Sequence, residues 1–172
     1  MKYRNRNDGM LEGEIMSVSR VKSYLEQWNL QDRVIEFDVS SATVELAAEA
    51  VGCEPARIAK TMSFLVDGEA VLVVLAGDVK IDNRKFKDRF HTKACLIRAE
   101  DVKDKTGHPI GGVCPFDVKD GVYVYLDESL KRFEVVYPAG GSATSAVRLT
   151  LAELEMAAHC RDWVDISKMV IN

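Results

Sequence analysis

Apolar positions in this chain switch between a spacing of three to four residues and a spacing of two, so helices and strands are expected to alternate. Val18, Val21, Leu25 and Trp28 share one helical face behind Ser17, a candidate N-cap, and predict an amphipathic helix over 18–28. Residues 34–39 read as a strand. Val44, Ala47, Ala48 and Val51 form a second helical stripe, opened by Thr43 and closed by Gly52, and Pro55 starts a short third helix. Residues 63–66 and 70–76 flank Asp67-Gly68, a pair that primed hairpin turns favour, and the unbroken apolar run of the second segment marks a central strand. A helix is predicted over 82–90 with Phe86 and Phe90 inward, and another over 99–105 that stops at Gly107. Residues 122–126 and 133–137 have strand composition around a polar turn or short helix, and 147–149 is a short strand. Thr150 and Glu153 form a capping box ahead of Leu151, Leu154 and Ala158, and a last strand is expected near 163–166. Hairpins and strands in this number favour a mixed α+β sheet or barrel over a doubly wound chain.

Composition narrows this to an ordinary globular domain: 172 residues, 47% hydrophobic and 29% charged. The longest apolar run, 70–76, is far short of the ~20 residues a membrane helix needs, and no membrane partner is expected. Residues 1–15 mix Lys2, Arg4 and Arg6 with Asp8, Glu12 and Glu14 and do not resemble a secretory signal. They are expected to be a disordered tail on a single domain over 16–172, in a cytoplasmic protein. Cys53, Cys95, Cys114 and Cys160 contain no Cys-x-x-Cys pair, and His91/Cys95 and His159/Cys160 are isolated, so reduced thiols, no metal site and no cofactor are expected. The net charge of −4 gives no overall attraction for nucleic acid. A local basic face does exist, with Lys80, Arg84, Lys85, Lys87, Arg89, Lys93 and Arg98 against Asp78, Asp82 and Asp88. It fits contacts to phosphates or a solvated helix face equally well.

Gly107-His108-Pro109-Ile110-Gly111-Gly112-Val113-Cys114-Pro115 holds three glycines and two prolines in nine residues and must be a shaped loop. Arrays of main-chain N–H groups in such a loop suit a carboxylate, a phosphate or a developing oxyanion. A second turn, residues 137–145, brings Gly140, Gly141, Ser142, Thr144 and Ser145 just before a strand. Lys60 is expected where the third helix gives way to a strand, with Ile58 and Met62 on the buried face and its amine elsewhere; a favourable contact with the helix dipole is the plainer reading.

These pieces, in this order, resemble the YbaK/prolyl-tRNA editing domain family over most of residues 17–168. Lys60 and the Gly-x-x-x-Pro element, Gly111 to Pro115, carry the resemblance. It implies a mixed, mostly antiparallel β barrel wrapped by helices, and hydrolysis of a mischarged amino acid from the 3′ end of tRNA, most often tRNA(Pro), without a metal. It points to Lys60 as a fixed charge near the ester oxygens, the terminal ribose or its phosphate. Donors to the oxyanion would be the N–H groups around Gly111, Gly112 and Val113. His108, Cys114, Pro115, Gly140, Gly141, Ser142 and Ser145 would complete the pocket, His108 as a wall rather than a base and Cys114 as packing rather than a nucleophile. Lys80, Arg84, Lys85, Lys87 and Arg89 would meet the tRNA. No Ser-His-Asp or Cys-His-Asn signature is present, which leaves water or a group of the substrate as nucleophile; in cysteine-specific members the substrate thiol is thought to take that part. Alanine, cysteine, serine and threonine all stay open as the amino acid removed. Two other readings remain: a non-catalytic aminoacyl-tRNA adaptor acting with a synthetase such as prolyl-tRNA synthetase, and a hydrolase of small esters unrelated to tRNA.

Overall fold

The computed structural model describes residues 6–39 and 43–170. The chain opens with α1 (Arg6–Leu25), prolonged by a 3-10 turn to Trp28, and β1 (Val34–Glu36). The helix starts well before residue 18, so Ser17 lies inside it and is no N-cap, and residues 6–15 of the expected tail are helical; residues 1–5 lie outside the described chain. No proline interrupts this stretch, and Gly9 and Gly13 weaken a helix by only about 1 kcal/mol each. In α2 (Val44–Val51) Thr43 accepts the N–H of Leu46 and Gly52 closes the end at φ 81°, as predicted. The expected third helix is a single 3-10 turn, Pro55–Arg57, because β2 (Ile58–Val66) begins at once.

β2 turns through Asp67 and Gly68, both at positive φ, into β3 (Glu69–Ala76). Then follow β4 (Val79–Ile81), α3 (Asn83–Phe90), a 3-10 turn leading into α4 (Val102–Thr106), β5 (Tyr123–Asp127), β6 (Val135–Pro138), β7 (Ser145–Val147), β8 (Leu149–Thr150), α5 (Leu151–Ala157) behind the predicted capping box, β9 (Asp162–Val164) and β10 (Ser167–Met169). The main sheet has the order β8-β6-β2-β3-β5-β9. β3 is central, as its apolar run required. It pairs antiparallel with β2 and parallel with β5, and is buried from Val71 to Ala76. Where a tight turn joins neighbours the pairing is antiparallel; where helices intervene, as from β3 to β5 and from β5 to β9, it is parallel. Two antiparallel ribbons, β1–β7 and β4–β10, extend the sheet's margins, and the fold is the expected mixed α+β class.

The core gathers on the β2–β3 hairpin, with Phe64, Phe86 and Phe90 stacked in series at 4.8 and 4.7 Å between ring centres. Asp127, fully buried, accepts from Ser129 N, Ile166 N and the Ser167 hydroxyl, and so ties the C-terminal strand to β5. With three donors, a buried carboxylate is satisfied rather than stranded.

Candidate functional site

The site begins with a gap in the sheet. β6 pairs with β2 only at Ile58 and Ala59, and farther along the same edge the 95–97 segment takes over, with Leu65 N–H donating to Cys95 and Ile97 N–H donating to Ser63. Between these two closures the edge of β2 around Thr61 has no neighbouring strand. Thr61 has the parity of Ser63 and Leu65, so its main-chain groups turn to that edge. A cavity of about 280 Å³ fills the gap, closed by α2 (Thr43, Val44, Ala47), by Ile110, Gly111 and Val113 of the glycine-rich loop, and by Tyr137, Ala139, Ser145 and Ala146.

Among the described residues of this lining, Lys60 is the one charged side chain. Its strand position corrects the helical placement: alternation puts it on the same side as Ile58 and Met62. Its ammonium donates to the main-chain carbonyl of Val79. Burial pulls its pKa down, while Asp78 and then Glu45 push it back up. Beside it, the Thr61 hydroxyl is buried without a hydrogen-bond partner, a polar atom left over in a mostly apolar wall. Sequence reasoning missed Thr61, Tyr137 and the α2 wall. Thr61 follows Lys60 directly, and its neighbour was the only available signal.

The glycine-rich loop has two unlike sides. Gly111 and Val113 line the cavity. Gly112 lies elsewhere: its N–H donates to Pro109 at 3.0 Å, and a Cβ there would come within 2.5 Å of the Gly141 carbonyl oxygen. It is a contact between two loops and not an oxyanion donor. His108 is fully buried beneath the loop rather than in the cavity wall. Its Nε2 stands 2.5 Å from the Phe116 carbonyl, which can only accept, so Nε2 carries the proton and Nδ1 accepts from the Ser17 hydroxyl at 3.3 Å. Burial lowers its pKa and keeps it neutral. Cys114 is also fully buried, its Sγ 3.5 Å from that same Nε2. With Nε2 protonated and committed to Phe116, the ring has no lone pair for the thiol. Burial pushes the Cys114 pKa to about 12, so the pair is packing and not a nucleophilic dyad. Pro115 faces a different hollow, beside Tyr24 and His159.

Of Gly140, Gly141, Ser142 and Ser145 in the second turn, Ser145 alone is among the described lining residues, beside Tyr137 and Ala139. Ser142 is buried and binds Ser145 through its N–H and its hydroxyl, while Gly141, at φ 104°, leaves room for the main chain of Ser17 that a Cβ would meet at 2.9 Å. Gly140 packs against the Ser145 side chain. The turn is thus pinned between α1 and the glycine-rich loop, and α1 holds that loop's base as well, through Arg20 bonds to Gly107 and Asp117.

The basic face lies apart from the cavity lining. Lys85 pairs with Asp165 and Arg89 with Asp162, while Lys80 stands opposite Lys168 in the β4–β10 ribbon. Arg84 and Lys87 border a separate groove with Lys93. Among the described residues no group of His, Cys, Asp and Glu is arranged to hold a metal, and no helix is long and apolar enough to cross a membrane.

The aminoacyl-tRNA editing domain model matches residues 39–157, a span that contains the cavity lining. The uncharacterized protein YwhH of Bacillus subtilis is 48% identical over 154 residues, covering 89% of this chain and 98% of YwhH. A proline–tRNA ligase of Desulfovibrio desulfuricans is 31% identical over 125 residues, 72% of this chain and 21% of the ligase. Among solved structures, a candidate trans-editing enzyme for prolyl tRNA synthetase superposes with a TM-score of 0.80 at 30% identity, over 88% of this chain and 97% of that one. With residues 39–157 matching its model, a span that holds Lys60 and the glycine-rich wall, this chain belongs to the aminoacyl-tRNA editing domain family.

Proposed function

We propose that the protein is an aminoacyl-tRNA deacylase that releases a small mischarged amino acid (alanine, cysteine, serine or threonine) from the 3′ end of tRNA, with tRNA(Pro) as the acceptor. The observation that carries this reading is the cavity itself: a small, largely apolar chamber whose described lining holds one charged side chain, Lys60, together with Gly111 and Val113 of the glycine-rich loop. Its volume lies at the low end of the ~300–1,000 Å³ range of ligand sites, which suits an aminoacyl ester and not a whole nucleotide. Ester hydrolysis builds negative charge on the carbonyl oxygen, and a half-buried ammonium together with main-chain N–H groups of a rigid loop would stabilise that charge with little reorganisation.

Among its described residues the lining holds no His, Cys, Asp or Glu. Neither a side-chain base nor a metal-ligand set is therefore at hand, and the reading assigns the attack to water or to a group of the substrate, without a metal. Gly111 and Val113 act as donors and Ser145 borders the bound ester; His108, Cys114, Gly112 and Gly141 hold the loops that present them. Arg84 and Lys87, together with Lys80, meet tRNA phosphates, while Lys85 and Arg89 do so only at the expense of their surface ion pairs, each worth about 1 kcal/mol or less.

The lack of a side-chain base also favours a second reading, a non-catalytic aminoacyl-tRNA adaptor working beside prolyl-tRNA synthetase. Release of labelled amino acid from tRNA(Pro) charged in turn with alanine, cysteine, serine and threonine separates the two. Multiple turnovers on one of them, lost in Lys60→Ala, support the deacylase; stoichiometric binding with no release supports the adaptor.

A further inference from the structure

Lys60 is held by a turn that is itself fixed on every side. Gly77 and Asp78 join β3 to β4, and the next residue, Val79, offers the carbonyl that accepts from the Lys60 ammonium. Gly77 N–H donates to Ala56, and a Cβ on Gly77 would fall 2.1 Å from the Pro55 carbonyl oxygen and 2.6 Å from the Val44 side chain, so only glycine lets the turn lie against α2 and the 3-10 turn. The Asp78 carboxylate takes both terminal nitrogens of Arg132, at 2.9 and 2.5 Å, in a fork geometry that fixes direction as well as distance. Arg132 is anchored in turn by its Nε–H to Ser129, and the Asp78 carbonyl accepts from Val170 N. The carboxylates that act on Lys60 are Asp78 and, from α2, Glu45, with Arg132 the cation paired to Asp78.

We propose that Asp78 is a positioning residue for Lys60: clamped by Arg132, it sets the Gly77–Val79 turn whose carbonyl holds the ammonium, and it places a carboxylate on the residue next to that carbonyl. The catalytic consequence rests on the deacylase reading; the hold on Lys60 does not. The Arg132 hydrogen bond lowers the Asp78 pKa from its ordinary value and so favours the charged carboxylate. Removing that charge lets burial dominate, and Lys60 then loses its proton at a lower pH.

Two readouts on the intact protein test this. The first is the pH dependence of Lys60 acylation by an amine-directed reagent, mapped by peptide mass, with exposed Lys103 as internal control. The second is kcat and KM for release of the amino acid. In Asp78→Asn, the midpoint for Lys60 moves to lower pH while that of Lys103 stays, and kcat falls on the order of ten-fold or more with little change in KM. In Arg132→Gln, the Asp78 charge survives but its clamp does not, so kcat falls without a downward move of the Lys60 midpoint. Thermal melts confirm that both variants are folded. An Asp78→Asn protein with an unmoved Lys60 midpoint and unchanged kcat overturns the proposal. A moved midpoint in a protein whose wild type releases no amino acid upholds the hold on Lys60 and sinks the deacylase reading instead.

Discussion

The two sides of the glycine-rich loop invite comparison. One side carries the chemically reactive residues, His108 and Cys114, 3.5 Å apart and both fully buried; the other carries Ile110, Gly111 and Val113, which have no side-chain chemistry and line the cavity. Reactivity in a free amino acid says little about role here. Desolvation and committed hydrogen bonds silence the imidazole and the thiol, whereas in the proposed function the bare main chain beside Lys60 is where negative charge develops.

The largest effect that sharpens this contrast belongs to Lys60. Lys60→Ala is expected to lower kcat on the order of 10²–10³-fold while leaving the melting temperature near that of wild type. The opposite pattern is expected for His108→Ala, which leaves the Phe116 carbonyl and Ser17 hydroxyl unpaired and opens a cavity, costing about 2–5 kcal/mol in denaturant melts, with kcat largely kept where the protein is folded. A large kcat loss in a fully folded His108 variant would break the contrast.

The same histidine leaves a pH signature. Its folded-state pKa is lowered by burial, so the neutral form favours the native state. Its contribution is whole above about pH 6.5, the unfolded value, and is lost as pH falls below that toward the lowered folded value. His108→Gln should flatten this part of the stability profile; an unchanged slope would show that another group carries it.

Neighbouring glycines divide the same way. Gly112→Ala forces a Cβ onto the Gly141 main chain and should cost about 1–3 kcal/mol in stability. Gly111→Ala meets only the Ala143 side chain at 3.4 Å, so its cost is the strain of φ +82°, about 1 kcal/mol, with the effect concentrated on kcat through the displaced N–H. Equal melting temperatures for the two variants would contradict this assignment.

The smallest effects lie at Thr61 and Cys114. Thr61→Val replaces an unpartnered hydroxyl with a methyl and should change stability by less than about 1 kcal/mol, while shifting preference between alanyl and seryl substrates. Under mild alkylation, exposed Cys95 should react and Cys114 should not, with activity intact; modification of Cys114 in the folded protein would show that the loop opens.

Much of this was legible in the chain because the signals are local. Thr43 and Gly52 bracket α2, Asp67-Gly68 makes the hairpin, Thr150 and Glu153 cap α5, and an unbroken apolar run puts β3 at the centre. What escaped is set by pairing between distant segments. β4 and β10 have three residues each, with a lysine in the middle of both, and become strands only by meeting each other. The sequence puts Lys60 at the junction of a helix and a strand because Pro55 begins a helical turn, and nothing within the segment shows that β2 takes over as early as Ile58. The glycine-rich loop stands out in the sequence, but which of its residues line the cavity depends on Ser17 and Gly141, far away in sequence, as well as on neighbouring Phe116.

The central claim is that a cavity built on Lys60 and main-chain N–H groups removes an amino acid from tRNA, with the buried His108–Cys114 pair as support. Side-by-side kcat values for release of labelled amino acid from mischarged tRNA(Pro), by wild type, Lys60→Ala and His108→Gln at a temperature where all three are folded, test it most directly. The account predicts turnover by wild type and His108→Gln and its loss in Lys60→Ala. Turnover that survives in Lys60→Ala and vanishes in His108→Gln would contradict it.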